Sequence, residues 1–111
     1  MSATPPIDNA SPHDAKIVHV ESDFEPLMGK FMTNRKKEIV TMREALAQQD
    51  LETVRKVAHG MKGAGGSYGF DRITTMAATI EHTAKAGTSA GLAEELDRLA
   101  TYLEHVQVIF D

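Results

Sequence analysis

The sequence predicts an all-α protein: an antiparallel up-down-up-down four-helix bundle with an extended N-terminal strap. Three observations carry that prediction. Apolar residues recur at three- and four-residue steps through four successive segments, which is the helical period. The connections between those segments are short, which sets consecutive helices side by side and antiparallel. With no Trp, 2 Tyr and 4 Phe, the core must be filled mainly by Leu, Ile, Val and the 6 Met. Together with many Ala, that supply suits close helix–helix packing better than a sheet.

A chain of 111 residues holds one small core and no second one. The formal net charge of −4 argues against a general nucleic-acid surface, which needs a strongly basic face. With no cysteine there is no disulfide, thiolate metal site or cysteine nucleophile. No apolar run approaches the roughly 18 residues of a spanning helix. The N-terminus lacks the basic start and apolar stretch of a signal peptide, so a cytoplasmic protein without membrane association is expected.

Residues 1–16 carry three of the four prolines and no periodicity, and read as a disordered tail; residues 17–111 read as the bundle. Ile17-Val18-His19-Val20 is a short β-branched run. No second strand candidate stands out to pair with it, so it is expected to lie as a strap across one end of the bundle. The first helix is expected to start between Ser22 and Pro26, where Ser22 and Glu25 have capping-box spacing and Pro26 tolerates only first-turn positions. Its stripe is Phe24, Leu27, Met28, Phe31, Ile39, Met42 and Leu46. Arg35-Lys36-Lys37 interrupts that stripe and reads first as a solvated basic patch.

Asp50 is a good N-cap for the second helix. Leu51, Val54, Ala58, Met61 and Gly65 make its narrow inward stripe, and Gly65 to Gly69 read as its stop and turn. A third helix follows with Phe70, Ile73, Ala77, Ile80 and Ala84 inward, ending near Ala86-Gly87. Thr88 or Ser89 can cap the fourth, whose stripe is Leu92, Leu96, Leu99, Leu103, Val106 and Phe110.

The informative stretch runs from Ala58 to Gly69, with His59, Lys62 and five glycines in twelve positions. Each glycine inside a helix costs roughly 1 kcal/mol against alanine, so their presence needs a reason. At about 100° per residue His59 lies roughly 120° from the middle of the inward stripe, on the outer face. A core histidine would share the stripe; this one does not. Arg55, Lys62, Gly63 and Gly66 lie around it on the same side.

An exposed imidazole near neutral pH is in large part unprotonated and can act as a nucleophile. Lys62, one turn on, could offset part of the charge of a phosphoryl group on that ring. Gly63 and Gly66 present no side chain, so a large domain could reach the ring without a clash. No nucleotide-binding glycine loop follows a strand here, and no carboxylate cluster is arranged to hold Mg²⁺. No histidine has Glu three residues before it, so the di-iron bundle pattern is absent.

The run Ala58-His59-x-x-Lys62-Gly63-x-x-Gly66-Ser67-x-Gly69 resembles the signature of histidine phosphotransfer (HPt) domains, the four-helix carriers of multistep phosphorelays. Asp23-Phe24-Glu25-Pro26-Leu27, Phe31-Met32-Thr33-Asn34-Arg35 and Asp50-Leu51-Glu52 resemble the family more weakly. The resemblance implies that His59 is the phosphoacceptor, taking a phosphoryl group on its distal ring nitrogen from a receiver-domain aspartate and passing it to another. It implies that Lys62 faces the phosphate and that Gly63 keeps the docking surface clear, to which Gly66 and Arg55 are added from their shared face. Gly60 beside the acceptor departs mildly from the pattern. The implied protein is a carrier rather than an enzyme, with no cofactor or metal of its own, Mg²⁺ being expected only on the partner receiver. Response-regulator receivers or a hybrid histidine kinase are the implied partners, and a monomer is expected. The alternative is a helical adaptor that docks on a receiver or kinase through the same face without forming a covalent bond.

Overall fold

In a computed structural model of the protein, described for residues 16–111, four α-helices follow one another: α1 (Met28–Ala47), α2 (Leu51–Tyr68), α3 (Asp71–Lys85) and α4 (Leu92–His105). Each packs on its sequence neighbours, and α4 closes the ring against α1. The expected tail falls almost wholly on residues outside that described range. Met42, Val54, Ala58, Met61, Ile73, Ala77, Ile80, Leu92, Leu96 and Leu99 are completely buried and form the centre of the core.

Two short strands, β1 (Ile17–Val20) and β2 (Gln107–Phe110), pair in parallel with Ile17 opposite Gln107 and Val20 opposite Phe110. This corrects two expectations. The strap has a strand partner, and the fourth helix stops at His105 instead of carrying its stripe through Phe110. Val106 already has extended backbone angles, φ −65° and ψ 135°. Val106, Val108 and Phe110 then alternate inward with exposed Gln107 and Ile109, a period of two that a spacing of four between Val106 and Phe110 also satisfies. Parallel strands need a long crossover, and here the whole bundle is that crossover. Beyond the strands, His19 Nδ1 lies 3.2 Å from a carboxylate oxygen of Asp111.

The α-helical ladder of the first helix begins at Met28, later than expected. Ser22–Leu27 forms a 3₁₀ turn with Pro26 inside it and no side-chain cap at its start. In an α-helix the Pro26 ring would clash with the carbonyl four residues before it, which favours the tighter turn ahead of the regular helix. Leu27 is consequently outside the core, and Ala45 rather than the half-buried Leu46 completes the stripe. Arg35 is also corrected, because it does not belong to a solvated patch. It stands between Phe31 and Ile39 at four-residue steps, is 9% exposed, lies 4.8 Å from the Phe31 ring centre, and donates to both oxygens of Glu38 at 2.7 and 3.0 Å. Its stem thus extends the apolar stripe while its charge is paired.

Between α1 and α2 the chain turns through Gln49 at φ 61°. The amide of Asp50 reaches back to the Ala45 carbonyl at 2.8 Å, and that of Gln49 to Leu46 at 3.0 Å. Asp50 then caps α2 as expected, accepting from the Thr53 amide at 3.1 Å and the Thr53 hydroxyl at 2.6 Å. α2 runs through Gly65 and Gly66 to Tyr68, and Gly69 alone, at φ 84°, ends it. The Phe70 amide bonds to the Gly65 carbonyl at 2.8 Å and closes that stop. Tyr68 packs on Phe24 and Phe31, with ring centres 5.1 and 4.5 Å apart, and Phe31 stacks on Phe70 at 5.0 Å. The aromatic cluster ties the ends of three helices together. α4 starts after Gly91 without a side-chain cap. The expected Thr88 or Ser89 cap is displaced, with the Thr88 hydroxyl accepting from the Ala90 amide at 3.1 Å inside the preceding turn.

The close approach of α2 to α3 depends on Gly65. A methyl group there would lie 2.9 Å from the Thr74 hydroxyl and 3.0 Å from Cγ2 of Ile73, which is fully buried and cannot swing away. The Thr74 hydroxyl donates to the Lys62 carbonyl at 3.0 Å across the same seam. Overpacking of this kind costs about 1–3 kcal/mol, against a gain of about 1 kcal/mol in helix propensity. Gly65→Ala should therefore lower stability by about 1 kcal/mol in urea denaturation, despite alanine's better propensity. Equal or higher stability would show that the seam can open without cost.

Candidate functional site

His59 occupies the outer face of α2, as its phase against the inward stripe requires, and its side chain is 64% exposed. One turn on, Lys62 is about one-third exposed. The two do not bond to each other. Each bonds to Glu81 of α3, a residue that the sequence reading did not select. Glu81 Oε2 lies 2.8 Å from His59 Nδ1, and Glu81 Oε1 lies 2.8 Å from Lys62 Nζ. The carboxylate is only 15% exposed, so one fixed, partly buried anion orients both side chains.

A helical count could have found Glu81. Gly65 meets Ile73 across the seam. Two turns back along α2 is Ala58, and two turns forward along α3 is Ile80, both completely buried. Since the helices run antiparallel, the residues that follow, His59 and Glu81, come to the same outer edge. What the count lacks is the register, which only the Gly65 contact supplies.

The pair fixes the chemistry of the ring. Glu81 is held below the usual carboxylate range by its hydrogen bond from Lys62 first and from His59 second, while partial desolvation pushes the other way. An ionised carboxylate can only accept, so Nδ1 carries the proton facing it. In the neutral ring the lone pair then resides on Nε2, on which the described residues place no hydrogen-bond partner. The result is an imidazole anchored through one nitrogen and nucleophilic at the other.

Because the folded-state value of Glu81 lies below its unfolded value, its contribution to stability is present above the unfolded value. That contribution is lost as pH falls through the lower, folded one. The melting-temperature gap between the parent and Glu81→Gln should therefore be present above the carboxylate range and close as pH drops below it. A gap independent of pH would mean that the charge of Glu81 contributes nothing.

The remaining expected residues separate into two kinds. A methyl group at Gly63 would meet nothing within 4 Å, and one at Gly66 only the Thr74 hydroxyl at 3.7 Å. Neither glycine is required by packing, in contrast to Gly65. Arg55, one turn before His59, is occupied: it donates to both oxygens of Glu52 at 3.0 and 2.6 Å and holds that carboxyl below its usual range. His82 is exposed, and His105 bonds to the Thr101 carbonyl of its own helix at 2.9 Å, so neither joins the site.

Fold and site together define a class of protein, an all-α bundle that presents an anchored imidazole on a surface kept low by glycine. The family model described as Hpt domain matches residues 26–108, and the chain belongs to that family. Hpt domains serve histidine phosphotransfer in two-component phosphorelays, act as phosphocarriers rather than as enzymes, and work with receiver domains and kinases. Comparison with curated proteins and with solved structures finds no match. No described helix is long and apolar enough to cross a membrane.

Proposed function

We propose that the chain is a phosphorelay carrier in which Nε2 of His59 accepts the phosphoryl group of a receiver-domain aspartyl phosphate and then gives it to the aspartate of another receiver. The observation that carries this reading is the Glu81 carboxylate bonded at 2.8 Å to both His59 Nδ1 and Lys62 Nζ, with the ring itself largely exposed.

In the forward step the Nε2 lone pair attacks phosphorus in line with the aspartyl oxygen. The N–P bond forms, the P–O bond to the aspartate breaks, and its electron pair leaves with the carboxylate. His59 loses no proton in this step; Nδ1 keeps its own, and the ring gains positive charge as the bond forms. Glu81, already facing Nδ1–H, offsets that charge without having to reorganise. Lys62, held on the same carboxylate, is placed to turn toward the phosphoryl oxygens and balance part of their charge. The reverse step toward a second receiver uses the same groups in the opposite order.

In this reading Mg²⁺ and the acceptor aspartate belong to the receiver, which docks over Gly63 and Gly66. Arg55, with its charge tied to Glu52, stands at the rim of that surface. Action as a monomer in the cytoplasm is part of the same proposal. The test is to incubate the chain with a panel of receiver domains carrying radiolabelled aspartyl phosphate and Mg²⁺. The expected result is label transferred to the chain that is stable in base and lost in acid. No transfer from receivers shown to be phosphorylated would overturn it.

A further inference from the structure

One carboxylate serves two side chains on the His59 surface. Glu81 Oε2 faces His59 Nδ1 at 2.8 Å, and Glu81 Oε1 faces Lys62 Nζ at the same distance. Among the described residues no other group pairs with Glu81. Arg55, one turn before His59 on α2, is held chiefly by Glu52 at 2.6 Å and feels Glu81 only as a lesser influence. Lys56 of α2 and His82 and Lys85 of α3, the other titratable groups within a turn of the pair, are exposed and enter no ion pair. At 15% exposure the Glu81 carboxylate is screened less than a surface charge, and its full effect falls on the two groups it touches.

Acceptance and release make different demands on Glu81. Acceptance at Nε2 needs Nδ1 to be protonated and held, and a neutral amide oxygen can accept that hydrogen bond as a carboxylate does. Release is harder. When a receiver carboxylate or a water attacks phosphorus, the N–P bond breaks and its electron pair returns to Nε2. With Nδ1 still protonated, the leaving group is neutral imidazole. With Nδ1 deprotonated it would be imidazolate, a far stronger base that leaves poorly. A phosphoryl group also brings close to two negative charges to the ring, which draw the Lys62 ammonium off Glu81.

We propose, on the carrier reading of His59, that Glu81 is a positioning residue whose charge sets how readily the phosphoryl group leaves. As Lys62 turns to the phosphoryl oxygens, the freed carboxylate keeps the proton on Nδ1 and the leaving imidazole neutral. An anion beside the ring favours its charged form, so the carboxylate holds that proton to higher pH than an amide would. Opposite charges at such range move a titration by about 1–3 pH units, and the largely exposed ring belongs at the low end.

The test follows loss of the phosphoryl group from the parent and from Glu81→Gln between about pH 5 and 10, with no receiver present. Each chain is loaded with phosphoramidate, which gives its phosphoryl group to Nε2 as ammonia leaves, and the donor is then removed. ³¹P NMR follows the signal that is missing from His59→Gln. Loss should slow as pH rises in both chains, with the midpoint about one pH unit higher in the parent. Above both midpoints the parent should then lose its phosphoryl group about tenfold faster. Lys62→Met, which leaves Glu81 to the ring alone, should have its midpoint at or above the parent's, whereas a general loosening of the site would lower it. Coincident midpoints in the parent and Glu81→Gln, a Lys62→Met midpoint as low as that of Glu81→Gln, or a folded Glu81→Gln chain that accepts no phosphoryl group would each overturn the proposal and leave the carrier reading standing. A parent chain with no His59-dependent signal, from phosphoramidate or from phosphorylated receivers, would overturn both.

Discussion

A His59→Gln chain is expected to fold like the parent and to take up no phosphoryl label from any receiver. The fold prediction rests on exposure. The side chain is 64% exposed and makes one hydrogen bond, so its replacement falls among surface changes worth within about 0.5 kcal/mol. Glu81 keeps Lys62 as a partner and is not left as an orphaned charge. The loss of label rests on chemistry. A glutamine amide can occupy much of the same space, but its nitrogen lone pair is delocalised into the carbonyl and does not attack phosphorus. The variant also separates the two readings of this surface. A non-covalent adaptor would bind its partner and signal as before, and undiminished labelling would remove His59 from the acceptor role altogether.

The second large effect is expected at Gly63, where stability and function should move in opposite directions. A Cβ there meets open space, and the position is within a regular helix, so Gly63→Gln should gain about 0.5–1 kcal/mol from propensity alone. That gain corresponds to a melting point higher by roughly 2–8 °C in a domain of this size. Phosphotransfer from a receiver should nevertheless fall by about 10- to 100-fold. Forcing a long side chain into a packed contact costs about 1–3 kcal/mol, and each 1.4 kcal/mol is tenfold. Gly66 is less clean as a test, because Thr74 already lies 3.7 Å from its hypothetical Cβ. A Gly63→Gln chain that is stabilised and still transfers at the parental rate would place receiver docking on another face. A destabilised one would mean that Gly63 serves the fold.

Four helices, their order and the outward phase of His59 are legible in the sequence because the inward stripes are periodic and Asp50 caps α2 with its own side chain. Among the features that were not legible, three have clear physical reasons. The sequence of β2 reads as helix because Leu103, Val106 and Phe110 satisfy a helical spacing as well as an alternating one, and the alternation acquires meaning only once β1 lies beside it. Arg35 looked like part of a solvated patch because its charge outweighs its stem in any reading by residue type; its phase between Phe31 and Ile39 was the better guide. Glu81 was missed because it is one carboxylate among many on helical surfaces, and its importance comes from the register of α3 against α2. In that register Gly65 lies against Ile73 and Thr74, where a methyl group would be overpacked. The glycines themselves divide the same way: Gly65 serves packing, Gly69 serves the turn, and Gly63 and Gly66 have no packing role.

In the proposed carrier, Glu81 holds Nδ1 of His59 and leaves Nε2 as the phosphoacceptor. Its most direct test is NMR of the phosphorylated chain with ¹⁵N-labelled histidine, reading which ring nitrogen couples to phosphorus. Coupling at Nε2 of His59, with Nδ1 still protonated toward Glu81, is the predicted result. Coupling at Nδ1, or on any other histidine, would contradict it.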